Sequence, residues 1–477
     1  MADTVVLEAD SHHAMSRAKT TSPRRPRGRK QRPALPVSAI IAPLSHALDL
    51  VEGHEPGHAV RSCLIGMRLG VAAGLGEEQL ADLYYALLLK DAGGSSNAAR
   101  VASLFGSDDQ RVKPRMMFVD RDDRRLLAVE TWRNTAHRRS LRAKVSHLVG
   151  MVRDPNAARE IIGVRGERGA EIATRLGLGE GTAMAIRSLH EHWNGNGYPA
   201  GLRGDAIPLL SRIVFLAQTM DVFLSRKDGP AADPVLRERR GQWFDPALTD
   251  VATEVLRDDQ LLVTLRENAE ERVVEMEPAS RARKVDDDGV DAIARAFADI
   301  IDAKSPFTAG HSPRVAEYAR AIGKQMGFDA PTLRNTYRAG LLHDIGMLGV
   351  SSRILEKAGT LTRAERAEIE HHPVHTLEIL RRVPAFEPFA LQAATHHEKL
   401  DGSGYPWGWR DEDLDAPARA LVVADVFEAA MADRAFRRGV SVTEALEILN
   451  AQRSLWLDSD AIDALAACLP ETEPRDL

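Results

Sequence analysis

The chain has 477 residues, of which 44% are hydrophobic and 28% charged, and its formal net charge at pH 7 is −6. This composition is typical of a globular protein with two or three domains, and no apolar run approaches the roughly 18 residues that a membrane-spanning helix requires. The two cysteines, Cys63 and Cys468, are too few and too far apart for a disulfide framework. Because an apolar signal segment is also missing, we expect a cytoplasmic protein whose metal ligands would be histidines and carboxylates.

Residues 1–36 are predicted to form a disordered basic tail. Eight basic residues and no acidic one lie between Arg17 and Arg32, with prolines among them. Such a segment cannot bury a core. It leaves open a contact with nucleic acid or another acidic surface, and a solvated tail without a partner is an equal alternative. No nucleic acid is expected to bind elsewhere.

From residue 37 onward the apolar spacing is helical, and the chain reads as a tandem duplication. Three intervals recur in the two halves: 32 residues in His58–Lys90 and His311–His343, 33 in Arg165–Tyr198 and His372–Tyr405, and 20 in Tyr198–Gln218 and Tyr405–Asp425. A fourth interval is 28 residues in the second half and 74 in the first, so the first copy carries about 46 extra residues. We predict an all-α protein with a first domain at 37–275, an insertion at about 97–142, a linker at 276–289 and a second domain at 290–470.

The second copy contains seven polar residues at helix ends or within an apolar helix. His311 opens a predicted helix, His343 and Asp344 end another, His372 ends a third, and Asp425 interrupts the apolar sequence ALVVADVF. Adjacent residues of a helix point about 100° apart, so His396 and His397 can serve one site only where their helix gives way to a loop. The complete set is His311, His343, Asp344, His372, His396, His397 and Asp425.

These seven residues predict a shared metal site. Polar groups at the tip of a buried helix are costly to desolvate unless they are paired or metal-bound. Five imidazoles and two carboxylates exceed what one four-coordinate ion needs, so we predict two divalent ions. Nitrogen and oxygen ligands without thiolate suit iron, manganese or zinc, and a carboxylate-bridged pair of ions suits phosphoryl transfer.

The motifs of residues 290–440 resemble those of the HD-GYP family of metal-dependent phosphohydrolases. They are HDIG at 343–346, HP at 372–373, HHEKLDGSGYP at 396–406 and Asp425 in VADVFEA. The resemblance implies tandem HD-type helical bundles and hydrolysis of cyclic di-GMP to pGpG or GMP. It implies that His311, His343, Asp344 and Asp425 surround one ion and His372, His396 and His397 the other, with Asp344 bridging. His343 and Asp344 would be catalytic, and the loop beside the substrate would contain Asp401, Gly402, Gly404, Tyr405 and Pro406.

Three positions depart from the family pattern. Met347 stands where a lysine usually follows HDIG, and losing a cation near the phosphate could cost on the order of 3 kcal/mol. Trp407 replaces a frequent arginine after the GYP sequence. Phe307 occupies the place of a glutamate found in members with a third ion, which favours two ions here.

The first copy resembles the same family only weakly. Its counterparts of the seven ligands are His58, Lys90, Asp91, Arg165, Leu189, His190 and Gln218. We therefore predict no metal there. The sequence NGNGYP at 194–199 leaves open a nucleotide-binding role, and packing, homodimerisation or contact with a protein partner is an equal alternative. For the whole chain, the alternatives to hydrolysis of a cyclic dinucleotide are a catalytically weak sensor or scaffold and hydrolysis of another nucleotide.

Overall fold

The computed structural model describes residues 35–116, 119, 124–137, 140–154, 156–225, 232–282, 284–357, 359–433 and 438–469. The predicted basic tail up to residue 34 lies outside these ranges. Its last two residues differ from the prediction, because Leu35–Pro36 form strand β1 and pair antiparallel with Lys284–Val285, strand β2. All other regular elements of the described residues are helices, which confirms the all-α prediction.

The first copy is built from fourteen of the described helices. They are α1 Ser38–Glu52, α2 His58–Ala72, α3 Glu77–Leu89, α4 Ala98–Phe105, α5 Asp109–Met116, α6 Arg124–Asn134, α7 Leu141–Arg153, α8 Ala157–Arg175, α9 Glu180–Arg187, α10 Leu209–Ser225, α11 Ala232–Glu238, α12 Pro246–Val255, α13 Asp259–Glu267 and α14 Ala269–Glu275. Short 3-10 helices lie at Gly94–Asn97 and Gly204–Ala206.

The second copy contributes ten described helices. They are α15 Asp287–Asp302, α16 His311–Gln325, α17 Ala330–Leu342, α18 Ser352–Leu355, α19 Arg363–Glu370, α20 His372–Arg381, α21 Glu387–Ala394, α22 Ala416–Met431, α23 Val442–Ala451 and α24 Ser459–Cys468. Its 3-10 helices are Pro306–Thr308, Ile345–Gly349 and Asp411–Asp413.

The helix boundary at His372 differs from the prediction. Helix α19 begins with the expected capping box of Thr362 and Glu365, but it ends at Glu370, and His372 begins α20. Pro373 explains the difference, because a residue without an N–H is tolerated in the first turn of a helix, where that donor has no partner. The first copy has Gly166 at the corresponding position, and there α8 runs unbroken from residue 157 to 175.

Helices α5 to α7 occupy residues 109–153 of the first copy. They overlap the insertion predicted at about 97–142, whose bounds remain a prediction. Helix α5 contacts both halves of the chain. Its Lys113 ammonium donates to Glu52 Oε1 at 3.1 Å, while Asp109 Oδ1 accepts from the Ser352 backbone N–H at 2.8 Å. The insertion therefore joins the first copy to the segment that follows the HDIG motif.

Most buried apolar side chains of the two copies belong to one hydrophobic cluster, and Phe223, Ala232 and Val235 form a small second one. Helix α1 of the first copy packs against α20 and against the 3-10 helix Ile345–Gly349 of the second. The predicted boundaries at 275 and 290 remain a prediction, since this core runs across them. None of the helices in the described ranges combines the length and apolar character that crossing a bilayer requires.

Candidate metal centre

Helices α16, α17 and α22 bring three predicted ligands together. Helix α16 packs closely on α17 because Gly340 has no side chain, and a Cβ there would lie 2.5 Å from the Ala316 Cα. As a result His311 Nε2 lies 3.3 Å from His343 Nε2 and 3.4 Å from Asp425 Oδ1. All three residues are buried, and their ligand atoms form one group that could hold a cation.

A second group forms around the start of α20 and the end of α21. His372 Nε2 lies 3.1 Å from His396 Nε2, and the same two nitrogens are 3.2 and 3.5 Å from Asp344 Oδ1. His397 belongs to this group as well, and its ring packs on that of Tyr405 with centroids 4.7 Å apart.

Asp344 connects the two groups. Its Oδ1 atom faces His372 and His396, whereas its Oδ2 atom lies 3.5 Å from His343 Nε2 and 3.7 Å from His311 Nε2. The structure thus brings all seven predicted ligands into two adjacent groups that share one carboxylate.

The backbone orients three of the imidazoles. His343, His372 and His396 each place Nδ1 within 2.6–2.8 Å of the carbonyl oxygen three residues earlier, so Nδ1 is assigned as the protonated donor. Their Nε2 lone pairs then point toward Asp344. This arrangement of a fixed tautomer with a free Nε2 is the one that metal-binding histidines adopt, and the donor set fits a divalent ion.

His311 is oriented by Glu428, a residue that our sequence reasoning missed. Its Nδ1 contacts the buried Glu428 carboxylate, which also accepts from Arg314 Nε at 2.7 Å. Glu428 lies three residues after Asp425 on α22, so both carboxylates project from the same face of that helix. The i, i+3 spacing in VADVFEA was the available signal.

The charge balance of the site favours bound cations. Burial alone lowers the pKa of His311, but the carboxylates of Asp425 and Glu428 outweigh it and raise the pKa to about 10. Burial raises the pKa of Asp344, yet His343, His372 and His396 hold the pKa well below its usual range. Burial lowers the pKa of His343 to about 4. Asp344 is therefore deprotonated and His343 neutral, as metal ligation needs, whereas the carboxylates around His311 favour a positive charge there, which a divalent ion would supply in place of the proton.

The loop predicted to lie beside the substrate is held by Glu398, the second residue that sequence reasoning missed. Its buried carboxylate accepts the backbone N–H groups of Trp407, Gly408 and Trp409 at 2.8, 3.2 and 2.9 Å. Asp401, predicted to bind substrate, accepts from the Ser403 N–H and from Trp456 Nε1 of the same chain. Asp401 thus shapes the loop, and the predicted substrate contacts of Asp401, Gly402, Gly404, Tyr405 and Pro406 remain a prediction.

In the first copy a cluster of ion pairs occupies the corresponding place. The ammonium of Lys90 and the guanidinium of Arg165 both contact Asp91, the counterpart of Asp344. Arg165 also donates to Glu52 Oε2 at 2.9 Å. His54, His58 and Asp91 do lie close enough to hold an ion, but two side-chain cations already contact Asp91.

The loop of the first copy keeps its support. Glu191, the counterpart of Glu398, accepts the N–H groups of Ala200, Gly201 and Leu202 at 2.7, 3.2 and 2.9 Å. The GYP loop is therefore retained in both copies, independently of the histidines.

Comparison with known proteins relates both copies to one family. A family model described as HD domain matches residues 156–248 and 295–461. A 3′3′-cGAMP-specific phosphodiesterase of Vibrio cholerae is 39% identical over 438 residues, which are 91% of this chain and 95% of that protein. The crystal structure of a cyclic GMP-AMP-specific phosphodiesterase of V. cholerae superposes with a TM-score of 0.63 at 35% identity and covers 92% of this chain and 98% of that one.

Other relatives match only part of the chain. A cyclic di-GMP phosphodiesterase response regulator of Xanthomonas campestris is 34% identical over 160 residues, which are 33% of this chain and 42% of that protein. The family model and the full-length relative both extend into the first copy. The chain belongs to the HD-GYP family of metal-dependent phosphohydrolases.

Proposed function

We propose that the chain is a cyclic dinucleotide phosphodiesterase that acts through two divalent ions and has 3′3′-cGAMP as a substrate. The observation that carries the proposal is the position of Asp344, whose two oxygens each face a separate group of imidazoles. His311, His343 and Asp425 would hold one ion, and His372, His396 and His397 the other. Bound ions of this kind supply Lewis-acid activation of water and of phosphoryl oxygens.

The substrate assignment rests on the extent of the similarity. The 3′3′-cGAMP-specific relative matches both copies across 91% of this chain, whereas the cyclic di-GMP phosphodiesterases of X. campestris and Thermotoga maritima match about a third. Cyclic di-GMP, the substrate that the sequence motifs suggested, is thus the alternative within the same class.

The residues divide the work of the reaction. Hydrolysis forms a bond from water oxygen to phosphorus and breaks the bond from phosphorus to the ribose 3′ oxygen, which takes up a proton and leaves a linear dinucleotide. Glu428 and the backbone carbonyls fix the tautomers and orientation of the imidazoles before the substrate binds. Substrate binding energy is therefore not needed to order these side chains. The loop held by Glu398 presents Tyr405 beside His397, at the edge of the site.

The test is hydrolysis by the purified chain loaded with manganese or iron. Separate reactions with 3′3′-cGAMP, cyclic di-GMP and a mononucleotide, followed by chromatography of the products, distinguish the candidate substrates. We expect a linear dinucleotide from 3′3′-cGAMP and its loss in His372→Gln. His375→Gln is the matched control, since His375 lies one turn later on α20 and outside both groups.

Three results would contradict the proposal. Binding of cyclic dinucleotides without turnover in the metal-loaded protein would indicate a sensor. Turnover of mononucleotides alone would indicate another phosphohydrolase. Equal activity of His372→Gln and the wild type would remove the metal centre from the reaction.

A further inference from the structure

Helix α7 of the insertion is apolar on the outside. All thirteen of its residues are described, and none is buried. Leu141, Val145, Val149 and Val152 are 66%, 47%, 43% and 82% exposed. A helix usually buries its apolar stripe, so these four side chains mark a surface that the described chain leaves uncovered.

The four side chains form one row. At about 100° per residue they fall within an arc of about 80°. Arg142 and Arg153 flank the row on one side, about 100–120° from Leu141, and Lys144 flanks it on the other, about 60° away. An apolar stripe bordered by basic residues on both sides is the pattern of helices that lie in the interface of a bilayer.

The neighbouring helix α6 shares this character. Its Leu127 and Thr131 face inward, where they line a cavity together with Met151 of α7. Its Val129 and Trp132 are 45% and 44% exposed. The Lys144 ammonium lies 4.6 Å from the centroid of the Trp132 ring, so the two helices adjoin.

The charge of this segment is opposite to that of the remaining chain. Residues 124–153 contain eight basic residues and one acidic residue, a formal charge of +7, and because the whole chain is −6 the remainder is −13. Two copies pairing through α7 would bring two strongly positive surfaces together, which is unfavourable. A nucleic acid would match the charge but offers no partner for a row of aliphatic side chains.

We propose that the outer face of α6 and α7 is a docking surface for a bilayer that contains anionic lipid. The row of four aliphatic side chains on α7 would enter the boundary between head groups and acyl chains. The flanking Arg142, Lys144 and Arg153 would lie against lipid phosphates. The surface is remote in sequence from the metal ligands, so the inference is independent of which substrate the chain hydrolyses.

The test is co-sedimentation of the full-length chain with vesicles of phosphatidylcholine alone or mixed with phosphatidylglycerol. We expect binding to the anionic vesicles only, weakening as salt is raised. Val145→Glu/Val149→Glu should lower the partition coefficient by about tenfold or more. Val263→Glu is the matched control, because Val263 is 46% exposed on α13, outside the insertion. The melting temperature and hydrolytic activity of each variant check that the fold is retained.

Several outcomes would overturn the proposal. One is unchanged vesicle binding by Val145→Glu/Val149→Glu, which would assign the binding to the basic residues 17–32 or to another surface. Another is a wild-type dimer in sedimentation velocity that the same variant converts to a monomer, which would make α7 an interface between copies. Displacement of the chain from vesicles by duplex DNA, with DNA binding lost in the valine variant, would assign the surface to nucleic acid.

Discussion

Replacing Asp91 by asparagine should destabilise the protein through the buried ion pairs of the first copy. Burial favours the protonated carboxyl, but Lys90 and Arg165 outweigh it and hold the pKa of Asp91 well below its usual range. Asparagine keeps the size of the side chain and removes its charge. The substitution therefore tests whether the ion-pair cluster at the place that corresponds to the metal centre supports the fold.

The expected magnitude follows from counting charges. Two carboxylates, Asp91 and Glu52, face three cations, Lys90, Lys113 and Arg165, and every one of these side chains is at most 7% exposed. Asp91→Asn leaves three buried cations around one carboxylate. Removing one partner of a buried pair costs about 3–5 kcal/mol, which lowers the melting temperature of a chain of this length by roughly 3–10 °C.

Thermal unfolding followed by circular dichroism measures this shift. The double substitution Lys90→Met/Asp91→Asn should recover much of the loss, because Glu52 then faces only Lys113 and Arg165. The pKa of Asp91 is lower in the folded than in the unfolded chain, so the difference from wild type should persist from neutral pH to about pH 4 and narrow below it. A shift in melting temperature no larger than that of an exposed pair such as Arg168→Ala, or no recovery in the double variant, would refute the reasoning.

Three further changes have defined outcomes. Glu428→Gln should weaken binding of Mn²⁺ by about 10- to 100-fold in calorimetric titration, because His311 loses its carboxylate partner, and an effect as small as that of the exposed Glu317→Gln would contradict this. Met347→Lys should raise kcat/KM for the cyclic dinucleotide by roughly tenfold or more if a cation there meets the phosphate, and an unchanged value in steady-state kinetics would disprove it. Lys304 is buried and its pKa is lowered to about 8, so above pH 8 the folded chain loses this proton before the unfolded chain does. Between pH 8 and 10.5 the free energy of unfolding of the wild type, measured with urea, should rise by on the order of 2–3 kcal/mol relative to that of Lys304→Met. If the free energies of the two proteins change in parallel with pH, deprotonation of Lys304 does not affect stability.

Much of the fold was predictable from the sequence because helical periodicity is a local signal. The helices that begin at His311, end just before His343 and contain Asp425 were all expected, and the recurrent intervals disclosed the duplication. His372 was predicted to end one helix but begins the next. The sequence did not decide between the two, since Pro373 can follow the end of a helix or lie in its first turn. The pairing of Leu35–Pro36 with Lys284–Val285 joins residues about 250 positions apart, and two-residue strands have no periodicity to detect.

The site was predictable to the extent that its residues stand out from their surroundings. Charged groups at helix tips and in the apolar helix α22 were visible as exceptions, and the structure gathers all seven. Glu428 and Glu398 were missed because a glutamate within a helix or at a turn is ordinarily a solvated residue. Only the fold reveals that one contacts His311 and the other holds the loop from 407 to 409.

The cluster around Asp91 also bears on how the first copy can evolve. Lys90→His would restore one imidazole at the price of a buried cation, while Arg165 would still occupy the position of His372 and contact the same carboxylate. Reversal of Lys90 or Arg165 alone is expected to give an intermediate less stable than its parent, because each change breaks an ion pair to the buried Asp91. Engineering a second seven-ligand centre in this chain would therefore require Lys90, Arg165, Leu189 and Gln218 to be replaced together.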